Sequence, residues 1–195
     1  LLLDRAEYSL NGEPFRDEEE ILILDNVCRK ELGLPLRSDV FAQPWVIKEA
    51  PAADYITLKF KINSEICVKG ANLAVEDVEK LLITFNGESV SNETNGWYVD
   101  KSIKTVALPE IQKGENELIL KLPFGKRTST EWCYILGDFG VRTEGAFSTI
   151  TAPVEKFGFS SLTHQGLPFY GGNVIYKTEI NTPDCYAVIC ANYYR

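Results

Sequence analysis

Aromatic rings and side-chain amides are the groups in this sequence that could recognise a ligand. A flat aromatic face can lie against the C–H side of a pyranose, while amides and carboxylates bond its hydroxyls. Trp97 follows the turn signal Asn95-Gly96, so we expect it at a loop or strand end on the rim of the fold. The alternative for each aromatic residue is a place in the core. The candidate ligand-binding residues are Trp97, Tyr98, Asn86, Trp132, Gln165 and Tyr170.

Carboxylates are frequent, and they could in principle perform acid–base chemistry on a sugar. A glycosidase places two of them about 5 to 10 Å apart across the scissile bond. No spacing pattern marks such a pair among the acidic residues that stand out, which are Glu110, Glu131, Asp138 and Glu144. No Ser or Cys has a His base at a recognisable spacing either. We therefore expect no catalytic residue in this chain.

Cysteine and histidine usage argues against a metal site. The chain has five cysteines and one histidine, His164, and no C-x-x-C pair. Zinc sites use closely spaced Cys and His ligands, so we expect neither a metal nor a cofactor. The odd cysteine count without paired spacing predicts that all five thiols are reduced.

Charge and hydropathy limit the partners. The 195 residues include 20 basic and 28 acidic side chains, a net charge of −8 that would repel a phosphate backbone. No apolar run approaches the ~20 residues that span a bilayer. We therefore expect neither nucleic acid nor membrane as a partner. The absence of Met and the start at Leu1 suggest a piece of a longer polypeptide, so cytoplasmic and secreted locations both stay open.

One helix is predicted near the N-terminus, over Asp17–Leu32. Asp17 can cap it, Glu20 stands three positions on in a capping-box relation, and Gly33 follows the last turn. Apolar side chains recur at helical spacing on one face, at Ile21, Leu24, Cys28 and Leu32.

Alternation of apolar and polar residues predicts strands through the rest of the chain. The predicted strands are Asp54–Ile62, Leu81–Phe85, Lys104–Leu108, Glu117–Leu122, Trp132–Leu136, Asn173–Ile180 and Cys185–Ala191. Turn signals such as Asn86-Gly87 separate them. Many short strands with one early helix predict a mainly β, antiparallel β-sandwich in a single domain, 1–195. The alternative is a domain boundary near 151–168, where Gly and Pro become frequent.

Two parts of the sequence resemble a known family. Ile83–Val90, Trp97–Asp100 and Ile111–Leu120 follow a pattern of strand, Asn-Gly, strand, Lys-Gly-x-Asn and strand. This pattern resembles the galactose-binding-like jelly roll of glycoside hydrolases, in particular the family 2 sugar-binding domain and the accessory sandwiches of rhamnosidase-like enzymes. Gln165–Tyr176, with Pro-Phe-Tyr, is similar to an entry strand of the same sandwiches.

The resemblance implies a supporting role rather than catalysis. In these enzymes the catalytic acids lie on a separate barrel, so no catalytic residue is transferred to this chain. We expect an accessory sandwich of a larger, bacterial glycoside hydrolase, which binds glycan or packs on the catalytic domain of the same polypeptide to support its cleft. The alternative is a purely structural or adhesive interaction module without a sugar ligand. An exposed position for the Trp residues favours sugar binding, and a buried one favours the structural role.

Overall fold

The computed structural model describes residues 1–39, 51–128, 130–177 and 179, and within them two β-sheets face each other beside one α-helix. The strands are β1 (Leu2–Leu3), β2 (Arg5–Leu10), β3 (Arg16–Glu20), β4 (Asp54–Ser64), β5 (Asn72–Glu76), β6 (Leu82–Phe85), β7 (Glu88–Val90), β8 (Thr94–Tyr98), β9 (Asp100–Ala107), β10 (Gly114–Phe124), β11 (Cys133–Leu136), β12 (Gly140–Glu144) and β13 (Phe147–Thr151). The helix α1 is Ile21–Glu31, and 3₁₀ turns cover Val78–Lys80 and Leu162–His164. The predicted β-sandwich with one N-terminal helix is confirmed.

The larger sheet is built around the long antiparallel pair of β4 and β10. Their register runs from Gly114 opposite Ser64 to Phe124 opposite Asp54. The remaining order is β12-β13-β4-β10-β6-β7, with β2 on β4 and β3 on β2. The pairing of β13 with β4 is parallel, and the other pairings in this sheet are antiparallel. The alternation predicted for β4 holds, because its even-numbered apolar residues, Ile56, Leu58, Phe60 and Ile62, are buried.

The smaller sheet has the order β1-β11-β5-β9-β8, which makes β8 an edge strand. Its inward residues share one hydrophobic core with those of the larger sheet, and they include Leu73, Val75, Val106, Cys133 and Ile135. Neighbouring positions along each strand therefore point away from the core.

Helix α1 begins later than predicted. Asp17 lies in β3, and Glu20 is the N-cap, since its Oε2 accepts hydrogen bonds from the Leu22 and Ile23 amides at 2.9 and 3.0 Å. The acidic run that looked like a first helical turn pairs with β2, with Arg5 opposite Glu20. Backbone hydrogen bonds to β2 therefore hold residues 16–20 in a strand, and the helix begins only after Glu20. Gly33, with φ +65°, follows the helix as predicted.

The C-terminal part also differs from prediction. Residues 173–177 of the predicted strand Asn173–Ile180 are not in a strand, while Cys185–Ala191 lies outside the described residues. An apolar stretch becomes a strand only where another strand edge completes its hydrogen bonds, and 173–177 have no such partner in the described part of the chain. Beyond Thr151, the described residues contain one 3₁₀ turn, and Gly166 accepts a hydrogen bond from the Val141 amide at 2.8 Å. No helix in the described part is long and apolar enough to cross a membrane.

Candidate functional site

Two tyrosines meet on the outer face of the smaller sheet. Cys133 and Ile135 point into the core, so Tyr134 between them points outward. Tyr98, the last residue of β8, packs against it with ring centroids 5.2 Å apart and an interplanar angle of 58°. Burial, and then the neighbouring Tyr98, raise the pKa of Tyr134, so its phenol stays protonated at neutral pH and can donate a hydrogen bond.

Three polar side chains form a network beside this pair. The Asn95 Nδ2 donates to Asn72 Oδ1 at 2.6 Å, and the Thr105 hydroxyl donates to Asn95 Oδ1 at 2.7 Å. These residues belong to β5, β8 and β9, so the network bridges three strands and fixes the orientation of both amides. Each amide keeps hydrogen-bonding capacity beyond this network. We call Asn72, Asn95, Tyr98, Thr105 and Tyr134 the tyrosine–amide face.

Trp97 lies near the end of the edge strand β8 with 55% of its surface exposed, which is the rim position that the sequence predicts. It pairs with Lys104, which in turn pairs with the core residue Val75. Residues directly opposite each other share a face of the sheet, so Trp97 points to the side opposite Tyr98. The two neighbouring candidates therefore cannot stack together on one flat face of a ligand.

The turn after Tyr98 has an unusual backbone. Val99 has φ +61° and is 77% exposed between β8 and β9. A β-branched residue rarely adopts this left-handed conformation, so the surrounding contacts must hold it there. The Asp100 carboxylate contributes, because its Oδ1 accepts hydrogen bonds from the amide and the hydroxyl of Ser102, both at 2.7 Å.

The polar groups of the remaining candidates bind within the chain. Asn86 belongs to its own turn: its Nδ2 donates to Asn116 Oδ1 at 2.9 Å, and its Oδ1 accepts from the Glu117 amide at 2.8 Å. Gln165 accepts a hydrogen bond from the Gly158 amide at 2.7 Å. Tyr170 donates to the Asn173 carbonyl at 2.7 Å.

Trp132 connects to the start of helix α1. Its indole N–H donates to Glu20 Oε1 at 2.8 Å, while the other oxygen of the same carboxylate caps the helix. The side chain is 41% exposed, so one part of the ring remains open to solvent.

A buried ion pair connects α1 to the segment between β10 and β11. Asp25 is fully buried and pairs with Arg29. The Arg29 Nη2 donates to the Thr128 carbonyl at 2.6 Å, and the Thr130 amide donates to Asp25 Oδ2 at 2.8 Å. Arg37 extends the network through its Nη2, which lies 2.5 Å from Glu131 Oε1. Helix α1 therefore fixes the backbone of Thr128 and Thr130 in place.

The described residues form neither a metal site nor a site with a reactive buried thiol. Within the described ranges, no group of three His, Cys, Asp or Glu residues could hold a metal ion. Cys28, Cys67 and Cys133 are free thiols, while Cys185 and Cys190 lie outside the described residues. Burial raises the pKa of Cys28 to about 11 and also raises that of Cys133, so both are poor nucleophiles.

Sequence reasoning found Tyr98, and it found Asn95 in the turn signal before Trp97 as a residue that could supply polar contacts, but it missed Asn72, Thr105 and Tyr134. Tyr134 stands in a predicted strand, yet only the pairing of β11 with β5 shows where its ring points. Asn72 and Asn95 lie 23 positions apart, and no local pattern joins them.

The chain matches no protein-family model, no curated protein and no solved structure.

Proposed function

We propose that the chain is a non-catalytic accessory β-sandwich domain of a larger glycoside hydrolase, and that it binds glycan through the tyrosine–amide face. The observation that supports this function best is the Tyr98/Tyr134 pair beside the amide network of Asn72, Asn95 and Thr105. A pyranose requires this combination, because its C–H face is apolar and its rim carries hydroxyls.

Paired strands hold the side chains of the tyrosine–amide face in place, which favours binding without rearrangement. Side chains on paired strands are held more precisely than those on loops, and groups that are ordered before binding lose less entropy when the ligand arrives. Asn95 already binds Asn72 and Thr105, so its amide needs no reorientation to meet a hydroxyl.

Two of the four carboxylates considered for catalysis favour a supporting role as well. Glu131 pairs with Arg37, and Glu144 pairs with Arg142 at 2.9 Å. Both are held as ion-pair partners rather than as a facing pair of acids. We expect the isolated chain to leave aryl glycosides intact.

Affinity electrophoresis through gels that contain neutral soluble polysaccharides tests the glycan function. The wild-type chain should be retarded by at least one polysaccharide of the panel, and Tyr98→Ala should weaken the retardation about ten-fold, or 1.4 kcal/mol. Phe147→Ala is the matched control, because Phe147 is an aromatic residue on β13 of the other sheet with 72% exposure.

Two results would contradict the proposal. The first is a chain that no polysaccharide retards, and the second is retardation that Tyr98→Ala and Asn95→Ala leave unchanged. Unfolding midpoints of the same variants show whether any loss of binding reflects a loss of folding.

A purely structural interaction module is the second candidate. The exposed Trp97 by itself favours sugar binding, but it points to the side opposite Tyr98 and lies next to Val99, which is 77% exposed between β8 and β9. Such an apolar tip suits packing on a neighbouring domain of the parent polypeptide. Under this function, Trp97→Ala would weaken association with that domain and leave glycan retardation unchanged.

A further inference from the structure

The outer side of the smaller sheet continues along β5 beyond the tyrosine–amide face. Leu73 and Val75 belong to the core. The alternate residues of the strand, Asn72, Ala74 and Glu76, therefore point outward. At about 3.3 Å per residue, Asn72 and Glu76 lie about 13 Å apart along the strand. This length exceeds that of one six-membered sugar ring, so the surface has room for more than one sugar.

The tyrosine pair crosses this surface between its two ends. Tyr134 is paired with Ala74, and Tyr98 reaches in from the edge strand β8. The strands β5 and β9 separate β11 from β8, which puts the backbones of β11 and β8 about 14 Å apart. The ring centroids are only 5.2 Å apart, so the two side chains reach toward each other over β5 and β9. Ala74 has no exposed surface although it points outward, which agrees with such a cover.

The tilt between the two rings limits what a single sugar can contact. Their planes make an angle of 58°, so one flat pyranose can lie against one ring but not against both. Tyr98 and Tyr134 are each half-buried, so both rings keep exposed surface. Two consecutive sugars, whose planes turn relative to each other at the glycosidic bond, can take one ring each. The pair therefore suits a chain of sugars better than a single sugar.

Hydrogen-bonding groups lie on both sides of the ring pair. The amides of Asn72 and Asn95 lie on one side. On the other side, Glu76 is paired with Ile103, whose neighbour Ser102 donates its hydroxyl to Asp100 Oδ1 at 2.7 Å. Carboxylates accept hydrogen bonds from hydroxyls, and amides both donate and accept them. We call Glu76, Asp100 and Ser102 the carboxylate end.

The charge of the carboxylate end bears on the kind of glycan that fits. Burial raises the pKa of Glu76, and the neighbouring carboxylates of Glu131, Asp77 and Asp100 raise it further. A sugar acid or a sulfated sugar would add one more like charge at this point, which is unfavourable. The hydroxyls of a neutral sugar can instead donate to the carboxylates that are already there.

We propose that the tyrosine–amide face and the carboxylate end together bind an internal segment of a linear, uncharged glycan. The glycan runs along β5, with consecutive sugars on the rings of Tyr134 and Tyr98. Hydroxyls of the flanking sugars bind the amides on one side and the carboxylates on the other. This inference rests on the glycan function proposed above, and it adds the length and the charge of the ligand.

Titration calorimetry with neutral sugars of two lengths tests the extended site. The probes are glucose, galactose, mannose and xylose, together with cellotetraose, galactotetraose, mannotetraose and xylotetraose. At least one tetrasaccharide should bind the wild-type chain ten-fold or more tightly than its monosaccharide, which is more than the extra positions on a longer chain provide. Tetragalacturonate, in which each sugar carries a carboxylate, should show no heat of binding.

Variants at the two ends locate the ligand on the surface. Asn72→Ala and Glu76→Ala should each weaken binding of that tetrasaccharide about ten-fold. Asn63→Ala and Glu115→Ala are the matched controls, because these exposed residues pair with each other on β4 and β10 of the larger sheet. Both controls should bind like the wild type. Unfolding midpoints show whether each variant is folded, and if one end variant is not, the other one and the comparison of sugar lengths decide.

Four results would overturn the extended site. They are failure of all four neutral tetrasaccharides to bind, tetrasaccharides that bind no more tightly than their monosaccharides, a folded end variant that binds like the wild type, and tetragalacturonate that binds as tightly as a neutral chain. Each of these results leaves the glycan function itself standing. That function fails when no polysaccharide retards the chain or when Tyr98→Ala and Asn95→Ala leave retardation unchanged, so the two failures are distinguishable.

Discussion

Val99 carries the clearest backbone strain at an exposed position. Its φ of +61° places a β-branched side chain in the left-handed region, which asparagine tolerates better. We expect Val99→Asn to raise the free energy of unfolding by about 1 kcal/mol in urea titrations. Val174→Asn, at another exposed valine whose φ is not positive, should stay within about 0.5 kcal/mol of the wild type. Equal effects of the two substitutions would show that Val99 is unstrained.

The described cysteines should differ sharply in reactivity. Cys67 is exposed, while Cys28 and Cys133 are buried, and their burial raises both thiol pKa values. Alkylation with iodoacetamide at pH 8, followed by peptide mass mapping, should modify Cys67 within minutes and spare the other two until the chain is denatured. Rapid modification of Cys133 in the folded chain would contradict its burial.

Glu76 should couple stability to pH in one direction. Its pKa is raised in the folded chain by burial and by neighbouring carboxylates, so the folded state holds this proton more tightly than the unfolded state. Binding of that proton therefore stabilises the folded chain at pH values below the ordinary glutamate pKa. This stabilisation is lost as the pH rises through the raised pKa that Glu76 has in the folded chain. Glu76→Gln should therefore raise the unfolding midpoint at pH 7 and change it little near pH 3.5. A lower midpoint at pH 7 would show that Glu76 stabilises the fold through its charge.

The long strands with clear alternation were predicted from sequence, whereas several shorter strands, β2, β3 and β5 among them, were not. Asp54–Ile62 and Glu117–Leu122 alternate so clearly that β4 and β10 follow from sequence, although both extend further. β3 reads Arg-Asp-Glu-Glu-Glu and exists because β2 offers it a backbone edge. Such pairing depends on residues distant in sequence, so no local pattern reveals it. The tyrosine–amide face was missed for the same reason, since strand order brings its members together.

Helix α1 lies outside the jelly-roll resemblance, and its buried pair suggests what it does. Asp25 binds Arg29 and the Thr130 amide and has no exposed surface. Asp25→Ala would leave the Arg29 charge buried without its carboxylate, which should lower the free energy of unfolding by about 3 to 5 kcal/mol. Arg16→Ala removes surface ion pairs with Glu13 and Glu31 and a contact with the Tyr8 ring, and it should cost at most about 2 kcal/mol. Similar losses in the two variants would mean that the buried pair does not secure the helix.

The extent of the folding unit follows from where the two sheets end. The last described strand, β13, ends at Thr151. The described residues after it contribute the buried Leu162 and the Gly166 carbonyl, which accepts a hydrogen bond from the Val141 amide. A chain ending at Tyr170 keeps both contacts, so it should unfold cooperatively with a midpoint within about 3 °C of the full chain. A chain ending at Thr151 loses them and should melt earlier. Circular dichroism melts of the three chains distinguish a single domain over 1–195 from a boundary near 151–168. Loss of the cooperative transition in the chain ending at Tyr170 would mean that residues 171–195 belong to the same domain as the sheets.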